Sequence, residues 1–286
     1  MLMIRPAVRS SYLPTRSTLY SLGQTRLFSQ SRSILQESKK VEDAPKKKVA
    51  KKNESSNNFN PRYLGVTANM YIPTSYKNLP NVFMNPFAVF NSLIRRCYIF
   101  GFNTFKVALF RFQTGTTPKF LLWKNKAIEL YIQVNKAFAN KNVKTVTPGV
   151  SLWVEEALIN RISRLPKNLN LDWQILKFNN VPKLISIEPI MMPGKPLENI
   201  QLVYRFDTQQ ELIKFDQNTQ RTEKQVRDIV DYMVFLCDAT TDQMILIGSV
   251  FESKQNDKLP KSSDVDRKQV AKNMRLNGDI FRLPPN

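Results

Sequence analysis

Between Asn85 and Thr145, ten basic side chains (Arg95, Arg96, Lys106, Arg111, Lys119, Lys124, Lys126, Lys136, Lys141 and Lys144) face a single acid, Glu129. Interleaved with them are Phe87, Phe90, Tyr98, Phe100, Phe102, Phe105, Phe110, Phe112, Phe120, Trp123, Tyr131 and Phe138. Clustered cations attract polyanions, and aromatic bodies insert or stack. The chemistry this composition supports is non-covalent: docking onto nucleic acid or an anionic lipid surface.

Covalent chemistry lacks its usual reagents. The chain of 286 residues contains no histidine, which removes the commonest general base and the commonest metal ligand. Its two cysteines, Cys97 and Cys237, form no CxxC pair and read as buried thiols. Eight glycines form no phosphate-cradling loop. Glu155 and Glu156 are adjacent on a helix, so they point apart and complement its dipole rather than forming a catalytic pair. No catalytic residue, metal or cofactor is expected. The formal net charge of +20 with a pI near 10.0 points to a polyanionic partner. That charge is uneven: residues 85–145 carry a net +9, and residues 146–286 a net +1. The first half reads as binding, the second as scaffold.

The elements that must position these residues follow from pattern. Ahead of the first acid, Glu37, stand Arg5, Arg9, Arg16, Arg26 and Arg32 among Ser, Thr, Leu and aromatic residues, the composition of a mitochondrial transit peptide. Arg26-Leu27-Phe28-Ser29 resembles a matrix-processing site, which bounds the leader at residues 1–28. Residues 29–60 read as a disordered basic linker, too poor in large apolar groups to offset ordering entropy. Its Lys39, Lys40, Lys46, Lys47, Lys48, Lys51 and Lys52 make a candidate arm for RNA phosphate. Pro61, Pro73, Pro80 and Pro86 then call for extended chain along a surface.

A helical pattern covers Phe87 to Phe112, with a candidate break at Gly101. At about 100° per residue, Ile94, Tyr98, Phe102, Phe105, Leu109 and Phe112 share one face. Arg95, Arg96, Asn103, Lys106 and Arg111 share the other, yet Ile99, Phe100, Val107 and Phe110 lie inside that basic arc. Only nine uncharged residues separate Arg96 from Lys106, far short of a span. A basic amphipathic helix with surplus aromatics suits a membrane interface or a crevice in RNA or protein. Arg95, Arg96, Lys106 and Arg111 are therefore the candidate contact residues, and their reversal to Glu is expected to release the partner with the fold intact.

Thr117-Pro118 reads as the start of a second helix, running to about Lys141. Phe120, Leu121, Ala127, Ile128, Tyr131, Val134 and Phe138 form its apolar stripe. A third helix opens at Ser151 and stops before Pro166. Beyond Lys167 the period changes to two: Leu171–Ile175, Val181–Met192, Ile200–Phe206, Glu211–Phe215, Ile229–Cys237 and Met244–Phe251, the last two flanking a hairpin loop at Asp238–Asp242. Helices followed by antiparallel strands make residues 61–252 one α+β domain. Residues 253–286 read as a charged tail, frayed apart from a short helix near Asp266–Leu276.

Trp153-Val-Glu-Glu, Leu171-Asp-Trp-Gln and the paired strands Asp231-Tyr-Met-Val-Phe-Leu and Gln243-Met-Ile-Leu-Ile-Gly-Ser-Val resemble a domain shared by two other mitochondrial groups. These are the membrane-docking Tim subunit of the import motor, in its C-terminal part, and a large-subunit mitoribosomal protein. With Tyr71-Ile-Pro-Thr-Ser-Tyr and Asn81-Val-Phe-Met-Asn-Pro-Phe, the chain resembles most closely the fungal mitochondrial inner-membrane ribosome receptors of the Mba family. The resemblance implies a curved antiparallel, cystatin-like or nuclear-transport-factor-like sheet under N-terminal helices. It also implies peripheral attachment to the matrix face of the inner membrane and docking of the large mitoribosomal subunit near its tunnel exit. The implied partners are that subunit's rRNA and protein, inner-membrane lipids such as cardiolipin, the Oxa insertase, and nascent membrane proteins. A constitutive protein of the large mitoribosomal subunit and an import-motor tether remain as alternatives. Met244-Ile-Leu stands where motor-type relatives often carry Trp, which weighs against the tether. An enzyme or lipid carrier is the third alternative, since sheets of this shape often enclose a pocket; the missing histidine, cysteine pair and phosphate loop weigh against the enzyme.

Overall fold

Alternation of Ile200, Leu202, Tyr204 and Phe206 with Gln201, Val203 and Arg205 decides which side of the sheet meets the helices. In the computed structural model, which describes residues 60–66, 70–191, 196–254, 257, 259 and 267–284, the first set lies in the main core and Val203 in a second one. The expected leader and most of the expected linker lie outside the described residues. The α+β class holds: four helices and one antiparallel sheet, with strands β1 (Leu169–Ile190), β2 (Asn199–Asp216), β3 (Arg221–Asp238) and β4 (Met244–Val250) in the order β1-β2-β3-β4.

The strands are longer than their sequence runs. Leu171–Ile175 and the expected run from Val181 as far as Ile190 belong to one strand, β1, because register shifts such as those at Ile175/Lys177 and Phe178/Asn180 reset its alternation without ending it; Met192 lies outside the described residues. Ile200–Phe206 and Glu211–Phe215 likewise fuse into β2.

Helix α1 spans Pro86–Thr114, passing through Gly101, and ends on Gly115 at φ 68, a left-handed cap. Helix α2 spans Phe120–Ala139 with Lys119 at its N-cap, so the Thr117 cap does not form. Trp123, Ala127, Leu130, Tyr131 and Val134 form its buried face, and the ring of Tyr131 stacks on Phe206 at 4.4 Å. Leu121, expected in that stripe, is exposed instead. Helix α3, Leu152–Ser163, is capped as expected by the Ser151 hydroxyl, which accepts from the Val154 N–H at 3.4 Å. Glu155 takes a hydrogen bond from Arg62 at 2.6 Å and from Thr147 at 2.9 Å, while Glu156 pairs with Arg275, so both acids are engaged structurally.

The second face of the sheet is covered by extended chain. Val66 and Ile72 pack on Val203, Tyr232, Val234, Leu236 and Ile247. Residues 72–78 are bonded to the chain that follows β4: Ile72 exchanges hydrogen bonds with Ser253 at 2.9 and 3.0 Å, and Ser75 N–H and Asn78 both donate to Glu252 at 3.0 Å. This is the surface-hugging chain that its prolines require.

The segment after residue 252 is more than a frayed tail. Helix α4, Arg267–Gly278, packs on α3 and β4, Ile280 is buried in the main core, and Phe281 packs at a tilt against Phe138, 4.6 Å between ring centroids. Arg161 holds Asp279 with two hydrogen bonds of 2.6 and 2.9 Å. A Cβ at Gly248 would lie 2.4 Å from the Asn277 carbonyl oxygen, so only glycine lets α4 approach β4 this closely. Gly248→Ala is expected to cost about 1–3 kcal/mol through this overpacking and to loosen the C-terminal segment first. Limited proteolysis that cuts wild type and variant equally between α4 and Ile280 would contradict this.

Candidate functional site

The orientation of α1 is set by a polar seam. Val89, Ser92 and Phe110 are buried, and Arg96, Ile99, Asn103, Lys106 and Val107 are half-buried, which together make one continuous i, i+3/i+4 track. Asn103 donates from Nδ2 to the Ile185 carbonyl at 2.9 Å and accepts the Ile187 N–H on Oδ1 at 3.4 Å. It thereby satisfies the open edge of β1 as another strand would. Lys106 pairs with Glu188 of the same strand and lies 4.3 Å over the Phe102 ring. Arg96 donates to the Thr74 carbonyl at 2.5 Å and stacks 3.9 Å from the Tyr76 ring. Arg95 donates to the Asp257 carbonyl at 2.5 Å and sits 5.3 Å from the Tyr71 ring.

The helix is therefore inverted relative to its hydropathy. Of the four apolar residues inside the basic arc, Ile99, Val107 and Phe110 pack inward together with the polar pins, while Phe100 stays exposed. The six-residue apolar face points out: Ile94, Tyr98, Phe102, Phe105, Leu109 and Phe112 range from 41% exposed at Leu109 to 88% at Phe112. Phe83, Met84, Phe87 and Phe90 extend the exposed apolar surface beyond the N-terminal turn. From Phe87 to Phe112 this face is about 38 Å long. It contains no acid. A contiguous exposed apolar face of this length is the kind of surface that serves as an interaction site, which makes it the candidate docking face. Among the described residues no helix is long and apolar enough to cross a membrane, so the helix can lie on an apolar layer but not traverse one.

The candidate cations separate into two groups. Arg95, Arg96 and Lys106 pin α1 to the body. Lys119 and Lys126 converge on Asp242, at 2.6 Å to its carboxylate and 2.7 Å to its carbonyl, where the Trp123 indole N–H donates at 2.9 Å. The Lys119 and Trp123 hydrogen bonds hold the Asp242 carboxyl below its ordinary range. Lys141 donates to the carbonyls of Pro166 and Lys167. The side chains of Arg111, Lys124, Lys136 and Lys144 make no hydrogen bond or ion pair among the described residues. Lys39, Lys40, Lys46, Lys47, Lys48, Lys51 and Lys52 lie outside the described residues.

Reversing all four arginine and lysine candidates on α1 would thus test the fold together with binding. Lys106→Glu sets two carboxylates face to face at a half-buried pair. It is expected to cost about 1–3 kcal/mol after solvent screening and to speed amide exchange along α1. Arg111→Glu should leave that exchange unchanged. Equal exchange in both variants would contradict the pinning role of Lys106.

Beneath α2 runs a polar chain that hydropathy patterns do not reveal. The Trp173 indole donates to Gln210 at 2.9 Å, Gln210 donates to the Tyr131 hydroxyl at 2.7 Å, and Tyr131 donates to Asp231 at 2.5 Å. Burial raises the Asp231 pKa, and the Tyr131 hydrogen bond draws it partly back. Nearby, a cavity of about 200 Å³ is lined by Phe138, Leu171, Trp173, Leu212, Ile229 and Phe281 with Arg227. It is large enough for a side chain rather than for a lipid. Among the described residues no group of three or more Cys, Asp or Glu is placed to hold a metal ion.

Comparison with known proteins adds two matches. The family model described as MBA1-like protein matches residues 50–286. A curated protein of Saccharomyces cerevisiae, "Inner membrane mitoribosome receptor MBA1, mitochondrial", is 58% identical over 275 residues, covering 96% of this chain and 97% of the relative.

Proposed function

The chain belongs to the MBA1-like protein family, and from that premise we propose that it is a peripheral mitoribosome receptor of the mitochondrial inner membrane. The observation that carries this reading is the outward apolar face of α1, a means of membrane attachment in a chain whose described helices include none that could span. Its aromatic and aliphatic side chains enter the interfacial layer, as a helix lying in the membrane plane does. The lysine-rich residues 39–52 and the unengaged Arg111, Lys124, Lys136 and Lys144 supply attraction to rRNA phosphate. Residues 1–28 act as the matrix-targeting leader and residues 29–60 as a tether between fold and ribosome. The finer assignments belong to the same proposal: docking near the tunnel exit of the large subunit, contact with cardiolipin, and cooperation with the Oxa insertase on nascent membrane proteins. The role is one of docking rather than catalysis.

The test follows large subunits, membranes and this protein in one fractionation. Alkaline carbonate is expected to strip the protein from membranes. Its co-sedimentation with large subunits should weaken by orders of magnitude over a few-fold rise in salt, because each neutralised phosphate releases counterions. Stoichiometric retention on salt-washed subunits would favour a constitutive ribosomal protein instead.

A further inference from the structure

We propose that the cleft between α1 and the second face of the sheet binds the phosphate headgroup of an anionic phospholipid, a refinement that rests on α1 lying at the membrane. The cleft encloses about 370 Å³, and its walls bring together Lys77, Arg96, Lys183 and Arg205 from four separate segments of the chain. Asp207 is the one acid lining it. Burial alone would raise the Asp207 carboxyl, but hydrogen bonds from Asn180 at 2.7 Å and Asn179 at 3.3 Å, with Arg205 at 3.1 Å, hold it below its ordinary range. Asp207 thus neutralises Arg205 and leaves three cations uncompensated. Lys77 and Lys183 are exposed and make no hydrogen bond or ion pair among the described residues.

Two features favour lipid over RNA. The cations converge on one cavity rather than following a track, which suits a single phosphate better than a polynucleotide backbone. Arg96 already covers the Tyr76 ring, so that face cannot stack a base. Phe100, 76% exposed, stands in the cleft wall as an apolar neighbour for the glycerol and first methylenes of a lipid bound there.

The experiment uses the full chain in flotation on phosphatidylcholine vesicles with and without phosphatidylglycerol. Lys77→Gln with Lys183→Gln should bind phosphatidylglycerol vesicles about tenfold or more weakly than wild type, yet match it on pure phosphatidylcholine. Lys167→Gln with Lys177→Gln removes the same charge elsewhere, at exposed side chains given no binding role, and should change little. Equal losses from the two pairs would mean diffuse attraction and would overturn the site.

A second measurement separates the cleft from the membrane reading. Soluble short-chain phosphatidylglycerol, kept below its micelle concentration, should shift resonances at Lys183 and Phe100 whether or not α1 inserts. Failure of wild type to float on any vesicle would remove the role of α1 but leave this titration to decide the cleft. No response localised to the cleft would overturn the proposal. So would equal occupancy by inorganic phosphate, or displacement of the lipid by a uridine-rich RNA oligonucleotide.

Discussion

Replacing Phe105, Leu109 and Phe112 together with Ser is expected to release the protein from membranes while leaving its thermal unfolding nearly unchanged. Burying one such side chain contributes about 1.5 kcal/mol or more. Losing three would weaken partitioning by about a thousandfold. Folding stability should hardly respond, since these side chains are already in solvent and surface changes typically stay within about 0.5 kcal/mol. Phe110→Ser is the contrasting variant on the same helix. Phe110 is 1% exposed, and emptying its site should cost about 3–5 kcal/mol. Membrane retention by the triple-Ser protein, measured by carbonate-sensitive pelleting, would remove α1 as the attachment surface.

The second large effect concerns the polar chain under α2. Tyr131→Phe removes one hydroxyl and leaves both Asp231 and Gln210 short of a partner, at an expected cost of about 2–3 kcal/mol. The cost should depend on pH. Asp231 has a raised pKa in the folded protein, chiefly through burial. The folded state therefore binds the proton more tightly than the unfolded one. Between the ordinary carboxylate range and the raised value, stability falls as pH rises. Since the Tyr131 hydrogen bond is what lowers that pKa, its loss hurts the ionised form most. Denaturant titrations should show a larger deficit at about pH 8 than at about pH 5. A deficit independent of pH would detach Asp231 from the effect, and Asp231→Asn should abolish the difference.

Much of the scaffold is legible in the sequence. Ser151 ahead of an apolar run signals an N-cap, and alternation at Ile200 to Phe206 signals a half-buried strand. The loop at Asp238–Asp242 carries its own turn residues. Each of these is a local rule, satisfied by neighbours in sequence. The continuity of β1 was hidden because bulges shift its phase, so one strand reads as two runs. The face of α1 was hidden for a different reason. Aromatic and aliphatic residues surround that helix almost entirely, so periodicity cannot choose the buried side. The choice is made by Asn103, Lys106 and Arg96, whose partners Ile185, Ile187, Glu188 and Thr74 lie far off along the chain or in another segment. The candidate basic residues were thus recognised as a group, but three of the four on α1 are attachments of the helix to its own body. The packing of Ile280 and Phe281 depends on Gly248 and Asp279, a tertiary arrangement with no periodic signature.

Asn103 also bears on how many copies of the chain can coexist. β1, 22 residues long, is the outermost strand of the sheet, and such an edge invites pairing with an identical edge. The opposite edge, β4, is blunted where Val150 and Ser151 meet Leu246. On the β1 side the amide of Asn103 occupies the two backbone groups that an intruding strand would need first. The helix proposed to attach the protein to its surroundings thus also covers the open edge of β1, and a chain deprived of α1 is expected to associate edge to edge more readily, as light scattering would show.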